Sequence, residues 1–96
     1  MQGHSAANVI PVIAANRCGT ETVEPRDENG GQKSALTFYG SSFITDDTGE
    51  IIADAGRDGD KVIRAEFDLD EVYDMRLSWG IFRDRRPERY HTITEK

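Results

Sequence analysis

The sequence predicts an α+β architecture, and an incomplete one. Helix-compatible segments at residues 2–8 and 68–79 flank a middle rich in strand-forming residues. Within it, Val12-Ile13-Ala14-Ala15 is a continuous apolar run of the kind buried on both faces of a sheet. Only one full-length helix is available to cover that sheet, so one face must be covered by something else. Residues upstream in a longer parent protein, or a second copy of the chain, are expected to supply the cover.

Gln2 to Asn8 are small and helix-compatible, but a helix this short is marginal unless something packs it. The chain is therefore expected to begin inside an element. Pro11 follows, and residues 10–16 read as a central strand. From Arg17 to Ala35 the composition turns polar, with a strong turn signal at Asn29-Gly30-Gly31 and no apolar periodicity. A long exposed loop is expected there, covering a site or joining a subunit interface. Leu36 to Thr45 read as a strand, Asp46 to Gly49 as a turn, and Glu50 to Asp54 as a second strand closing an antiparallel hairpin. A further turn at Gly56 to Asp60 leads into a strand over residues 61–67. Asp68 or Asp70 can cap the helix that follows, because an aspartate oxygen satisfies free amides and suits the positive end of the helix dipole. Leu69, Val72, Tyr73 and Arg76 fall at i, i+3, i+4 and i+7 and define its buried face. Gly80 is its stop, and an irregular basic tail remains.

Composition narrows the function classes. With 96 residues of which 36% are hydrophobic, one domain at most is expected. The net charge of -6 and the pI near 4.8 argue against nucleic acid and anionic membranes as partners. The charge is uneven: five basic residues, Arg83, Arg85, Arg86, Arg89 and Lys96, face three acidic ones, Asp84, Glu88 and Glu95, leaving +2 in residues 81–96 and -8 in the rest. Such a basic knot suits a salt-bridged packing site or a subunit contact. The single cysteine, Cys18, excludes an internal disulfide framework and fits a reducing, cytoplasmic compartment. No apolar run approaches the roughly 20 residues that span a bilayer, and the first residues lack the features of a signal peptide.

Several separated motifs carry a family likeness. They are Met1-Gln2-Gly3-His4 running into Ala6-Ala7-Asn8, Asn16-Arg17 followed by Gly19, Phe38 to Ile44, Thr48 to Ile51, and Trp79-Gly80-Ile81-Phe82-Arg83-Asp84-Arg85-Arg86-Pro87-Glu88-Arg89-Tyr90. Together they resemble the C-terminal third of a nitrilase-superfamily carbon-nitrogen hydrolase, most like the N-carbamoylputrescine amidase branch. A branch acting on N-carbamoyl D-amino acids has a similar Arg-Arg-Pro tail. The resemblance implies that residues 1–96 are the C-terminal portion of a single hydrolase domain with an α-β-β-α sandwich, whose units stack helix against helix in a homo-oligomer. It implies a Cys, Glu and Lys thiol mechanism acting on a small carbamoyl amine in polyamine synthesis, without cofactor or metal. All three catalytic positions of the family lie upstream of the matched region, so the chain alone is expected to be inactive. The reading of a different class is a noncatalytic module that pairs with related hydrolase subunits.

Among individual residues, Asn16, Tyr39 and Ser42 are candidates for the wall behind the active site. Trp79, Phe82, Arg83, Arg85, Arg86 and Tyr90 are expected to pack the tail or form an interface. Cys18 is read as a spectator thiol, with no His or Lys flanking it and without the family's cysteine surroundings. Gly40-Ser41-Ser42 lacks the elbow of a serine nucleophile. Asp46, Asp47 and Glu50 lack the ligand spacing of a calcium loop, and His4 and His91 have no metal-ligand context.

Overall fold

A seven-residue helix, α1 (Gln2–Asn8), opens the chain, and a fully buried serine anchors it. In the computed structural model, which describes residues 1–95, Ser5 Oγ lies 2.6 Å from the Ile10 carbonyl and 2.7 Å from that of Asp46. It accepts a hydrogen bond from Thr45 Oγ1 at 2.8 Å. Thr45, also fully buried, accepts the Val12 N–H on its hydroxyl at 3.0 Å and donates its own N–H to the Val12 carbonyl at 2.9 Å. Two hydroxyls thus fasten the helix, the strand after it and the central hairpin into one unit. Met1 precedes α1 without a side-chain cap. Val9 closes it in the left-handed region at φ 51°, where the Val9 and Ile10 amides donate back to Ala6 and Ser5. Glycine normally takes this position, and a β-branched residue costs about 1–3 kcal/mol of strain there. Burial of the Val9 side chain, 5% exposed, offsets a similar amount, about 1.5–3 kcal/mol.

The central sheet has the order β1 (Ile13–Ala14), β4 (Phe43–Thr45), β5 (Ile51–Asp54), antiparallel throughout. Ile13 faces Ile44 and Ala14 faces Phe43, while Phe43 faces Asp54 and Ile44 faces Ala53. A bulge between Ile44 and Thr45 shifts the register so that Thr45 pairs with Ile51. The hairpin expected from the Asp46 to Gly49 turn is present. At its turn, Asp46 Oδ1 accepts from Thr48 N, Thr48 Oγ1 and Glu50 N at 2.8, 2.7 and 3.1 Å. These bonds, led by the Thr48 hydroxyl, hold the Asp46 carboxyl below its ordinary value. A depressed carboxylate contributes stability above its unfolded value and loses it as pH falls through the folded one. The Thr48 and Glu50 amides are therefore expected to lose hydrogen-exchange protection on acidification, and Asp46→Asn to remove that pH dependence. Gly49, at φ 88°, lies beneath α1: a methyl there would sit 2.9 Å from the Gln2 carbonyl and 3.2 Å from Ala6 Cβ. Gly49→Ala is expected to lower stability by about 1–3 kcal/mol, read as a drop in denaturation midpoint.

Several expectations need correction. Residues 17–35 are not a loop: β2 (Cys18–Val23) and β3 (Ser34–Tyr39) pair antiparallel in a second sheet around a short 3₁₀ turn at Asp27–Asn29. This arm is exposed on both faces, so it needs no apolar alternation; Thr20 and Thr37 hydroxyls bond across it at 2.9 Å and the Arg17 guanidinium stacks 4.5 Å from the Phe38 ring. The expected strand 36–45 is two strands, broken where Gly40 and Ser41 turn left-handed at φ 61° and 59°. The expected central strand 10–16 shortens to Ile13–Ala14 at the sheet edge, because Val12 and Asn16 spend their amides on side-chain hydroxyls. Residues 61–67 form no strand and join neither sheet among the described residues.

Helix α2 (Leu69–Trp79) starts where Asp68 accepts from the Asp70 and Glu71 amides at 3.0 and 3.3 Å, and stops at left-handed Gly80. Its expected buried face is open in this chain: Leu69 is 74% and Tyr73 59% exposed. Beyond it, the tail expected to be irregular contains a 3₁₀ turn at Pro87–Arg89 and a short helix, α3 (His91–Thr94). Lys96, counted with the basic tail, lies outside the described residues. The whole spreads over 57 × 43 × 15 Å with a radius of gyration of 20.5 Å. A compact chain of this length has about 12–13 Å. Val9 and Ile44 are the buried hydrophobic residues among those described.

Candidate functional site

Where β1 ends and β4 begins, Asn16 and Ser42 clamp each other. The Asn16 N–H donates to Ser42 Oγ at 2.8 Å, and that hydroxyl donates back to the Asn16 carbonyl at 3.2 Å. The Asn16 side chain donates from Nδ2 to the Gly40 carbonyl at 2.9 Å and accepts the Arg17 N–H on Oδ1 at 2.8 Å. Both side-chain bonds thus go to backbone, one of them to the left-handed Gly40-Ser41 corner and the other to the residue before β2. Gly40 has no room for a side chain: a methyl would lie 3.0 Å from the Gly56 carbonyl and 3.2 Å from Cys18 Cβ.

Beside the clamp lies a cleft of about 440 Å³. It is an open depression: Ile13 and Val62 at its margin are 74% and 97% exposed, and its polar lining includes Asn16, Ser42, Asp60 and Lys61. Cys18 lines it too, its thiol donating to the Gly59 carbonyl at 3.3 Å. Of the candidate wall residues, the structure brings Asn16 and Ser42 together. Tyr39 lies outside this cleft, 62% exposed, with the Arg57 guanidinium 6.0 Å from its ring. Asp60 and Lys61 carry no motif and escaped the sequence reading; their signal is the glycine-rich turn that folds them over the end of β1.

A second cleft, of about 470 Å³, lies between the end of α1 and the C-terminal half of α2. Val9, Tyr73, Leu77 and Phe82 form its apolar lining, with Arg83 and Arg85 at its margin. Arg83 grips Asp84 through Nε at 2.8 Å and Nη2 at 3.1 Å, which raises the arginine pKa and lowers that of the carboxyl. Arg85 lies 3.6 Å over the Phe82 ring, and the Tyr90 hydroxyl accepts the Arg86 N–H at 3.0 Å. Every side chain from Ile81 to Tyr90 is nonetheless exposed, as is Trp79 at 66%. The tail is internally tied but uncovered.

Known proteins match this arrangement. The model of the carbon-nitrogen hydrolase family matches residues 1–77. The chain belongs to that family. Among curated relatives, an N-carbamoylputrescine amidase of Arabidopsis thaliana is 50% identical over 97% of this chain and 30% of its own length. A citrullinase of Francisella tularensis is 50% identical over 100% of this chain and 31% of its own. A solved carbon-nitrogen hydrolase of Helicobacter pylori superposes with a TM-score of 0.75 at 37% identity, covering 99% of this chain and 31% of that one. The hydrolase chain thus spans about a third of the length of these relatives. Its mixed helix-and-strand fold is that of a carbon-nitrogen hydrolase. No helix among the described residues is long and apolar enough to cross a membrane, and no cluster of three His, Cys, Asp or Glu side chains could hold a metal there.

Proposed function

We propose that this chain is the C-terminal part of an enzyme that hydrolyses the terminal N-carbamoyl group of an aliphatic ureido compound such as N-carbamoylputrescine, releasing amine, carbon dioxide and ammonia. The observation that carries the reading is 50% identity, across essentially the whole chain, to relatives named for two such substrates. A thiolate supplied upstream attacks the ureido carbon, ammonia leaves, and water cleaves the thiol-bound carbamoyl group; glutamate moves the protons and lysine steadies the oxyanion. The present chain contributes none of these three groups. Its part is structural: the Asn16 and Ser42 clamp backs the site, and the α-β-β-α sandwich is completed by the upstream segment.

The tail residues Trp79, Phe82, Arg83, Arg85, Arg86 and Tyr90 pack against that segment or across subunits of a cytoplasmic homo-oligomer. Their exposure in this chain supports the reading, since single-chain surfaces seldom leave so many large aromatic and apolar groups uncovered together. The test is ammonia release from N-carbamoylputrescine by the chain preceded by an upstream hydrolase segment, its own or that of the Arabidopsis relative. Cys18→Ala is expected to leave turnover within about twofold, because its thiol is spent on the Gly59 carbonyl. Turnover abolished by that substitution would make Cys18 the nucleophile and overturn the assignment.

A further inference from the structure

One side chain ties the tip of the β2–β3 arm. Asn29, half-buried at the end of the 3₁₀ turn, accepts the Arg26 and Gln32 N–H groups on Oδ1 at 3.0 and 3.1 Å, and its Nδ2 donates to the Glu24 carbonyl at 3.0 Å. The next residue is Gly30, left-handed at φ 71°, with open space where a Cβ would stand. Its N–H is spent on the Asp27 carbonyl at 3.2 Å. An asparagine followed by glycine is the pair most prone to close on itself, because no side chain shields the glycine nitrogen and the backbone there turns freely. The other asparagines, Asn8 and Asn16, precede Val9 and Arg17, whose side chains obstruct that approach.

In the ring closure the Gly30 nitrogen bonds to Cγ of Asn29, the bond from Cγ to Nδ2 breaks, and ammonia leaves with the proton given up by the Gly30 amide. Water then opens the succinimide at either carbonyl and leaves aspartate or isoaspartate at position 29. For this the Asn29 amide must swing toward the Gly30 nitrogen, and that nitrogen must be free of its partner. The closed tip holds both: the amide through Arg26, Gln32 and Glu24, and the nitrogen through Asp27. We propose that Asn29-Gly30 is a self-modification site gated by the fold of the arm, silent while these bonds stand and converting when the tip opens. Refolding does not undo the conversion, since the ammonia is gone and no Nδ2 remains to meet the Glu24 carbonyl. The site therefore keeps a covalent record of local opening.

The test is peptide mass spectrometry of the completed hydrolase aged at neutral pH, folded and in guanidinium chloride. Denatured, position 29 is expected to convert from amide to acid well ahead of Asn8 and Asn16. Folded, the conversion at position 29 should be at least about 10-fold slower, the ratio reporting how seldom the tip opens. Arg26→Pro leaves Asn29-Gly30 intact, removes one of the amides that holds Oδ1, and does not suit the Arg26 φ of -143°. In a folded protein it should bring the rate at position 29 to within about threefold of the denatured one. Equal rates for the folded and denatured parent, or a folded Arg26→Pro protein as resistant as the parent, would overturn the gate. Conversion of Asn8 or Asn16 as fast as position 29 in denaturant would overturn the site itself.

Discussion

Purified by itself, the 96-residue chain is expected to give no cooperative monomeric unfolding transition by calorimetry, and to scatter light as an oligomer or an ill-folded species. The reason is the shortage of a core. A slab 15 Å thick accommodates one layer of sheet with side chains, whereas a self-sufficient domain packs at least two layers around a shared interior. Val9 and Ile44 are buried, while Ile13, Leu69, Tyr73, Leu77, Trp79 and Phe82 are each more than half exposed. At about 1.5–3 kcal/mol per buried large side chain, two such residues cannot offset the backbone ordering of a chain this long. Adding the upstream hydrolase segment should bring a single cooperative transition, because it supplies the second face. A monomeric, cooperative transition of the chain alone would show that the slab stabilises itself.

Once completed, the protein is expected to lose about 2–4 kcal/mol of stability on Thr45→Val, one of the larger effects available to a substitution that hardly changes volume. Valine keeps the shape but removes the hydroxyl that accepts the Val12 N–H and donates to Ser5. Each buried group left unpaired costs about 1–3 kcal/mol. Thr45→Ser, which keeps the hydroxyl and removes one methyl, should cost about 1 kcal/mol. Ser5→Ala should resemble Thr45→Val more than Thr45→Ser, since it leaves the Ile10 and Asp46 carbonyls without their side-chain donor. Denaturant midpoints of the four proteins measure the order. If Thr45→Val proved as mild as Thr45→Ser, the hydroxyl network would not be what fastens α1 to the sheet.

The features legible in the sequence were those with local causes. Asp68 and Gly80 bound α2 because a carboxylate and a left-handed glycine act within one turn of the chain. The turn from Asp46 to Gly49 could be read for the same reason. The β2–β3 arm could not, because its stability comes from a backbone ladder with both faces open, so Thr20, Thr22 and Val23 show strand-forming bulk without a buried side to impose alternation. The misread strand at 61–67 is the reverse case: apolar bulk is present, but the segment pairs into neither sheet among the described residues. Motif resemblance reached Asn16 and Ser42, which the fold does bring together. It could not reach Ser5 and Thr45, which become neighbours only through the tertiary path of the chain.

The most direct measurement is ammonia released from N-carbamoylputrescine by two preparations at equal concentration, the 96-residue chain alone and the same chain preceded by the upstream hydrolase segment. The completed protein should turn over and the chain alone should release nothing above a buffer blank. Turnover by the chain alone would contradict the assignment of the catalytic groups to the upstream segment, and silence from a folded, completed protein would contradict the assignment of the reaction itself.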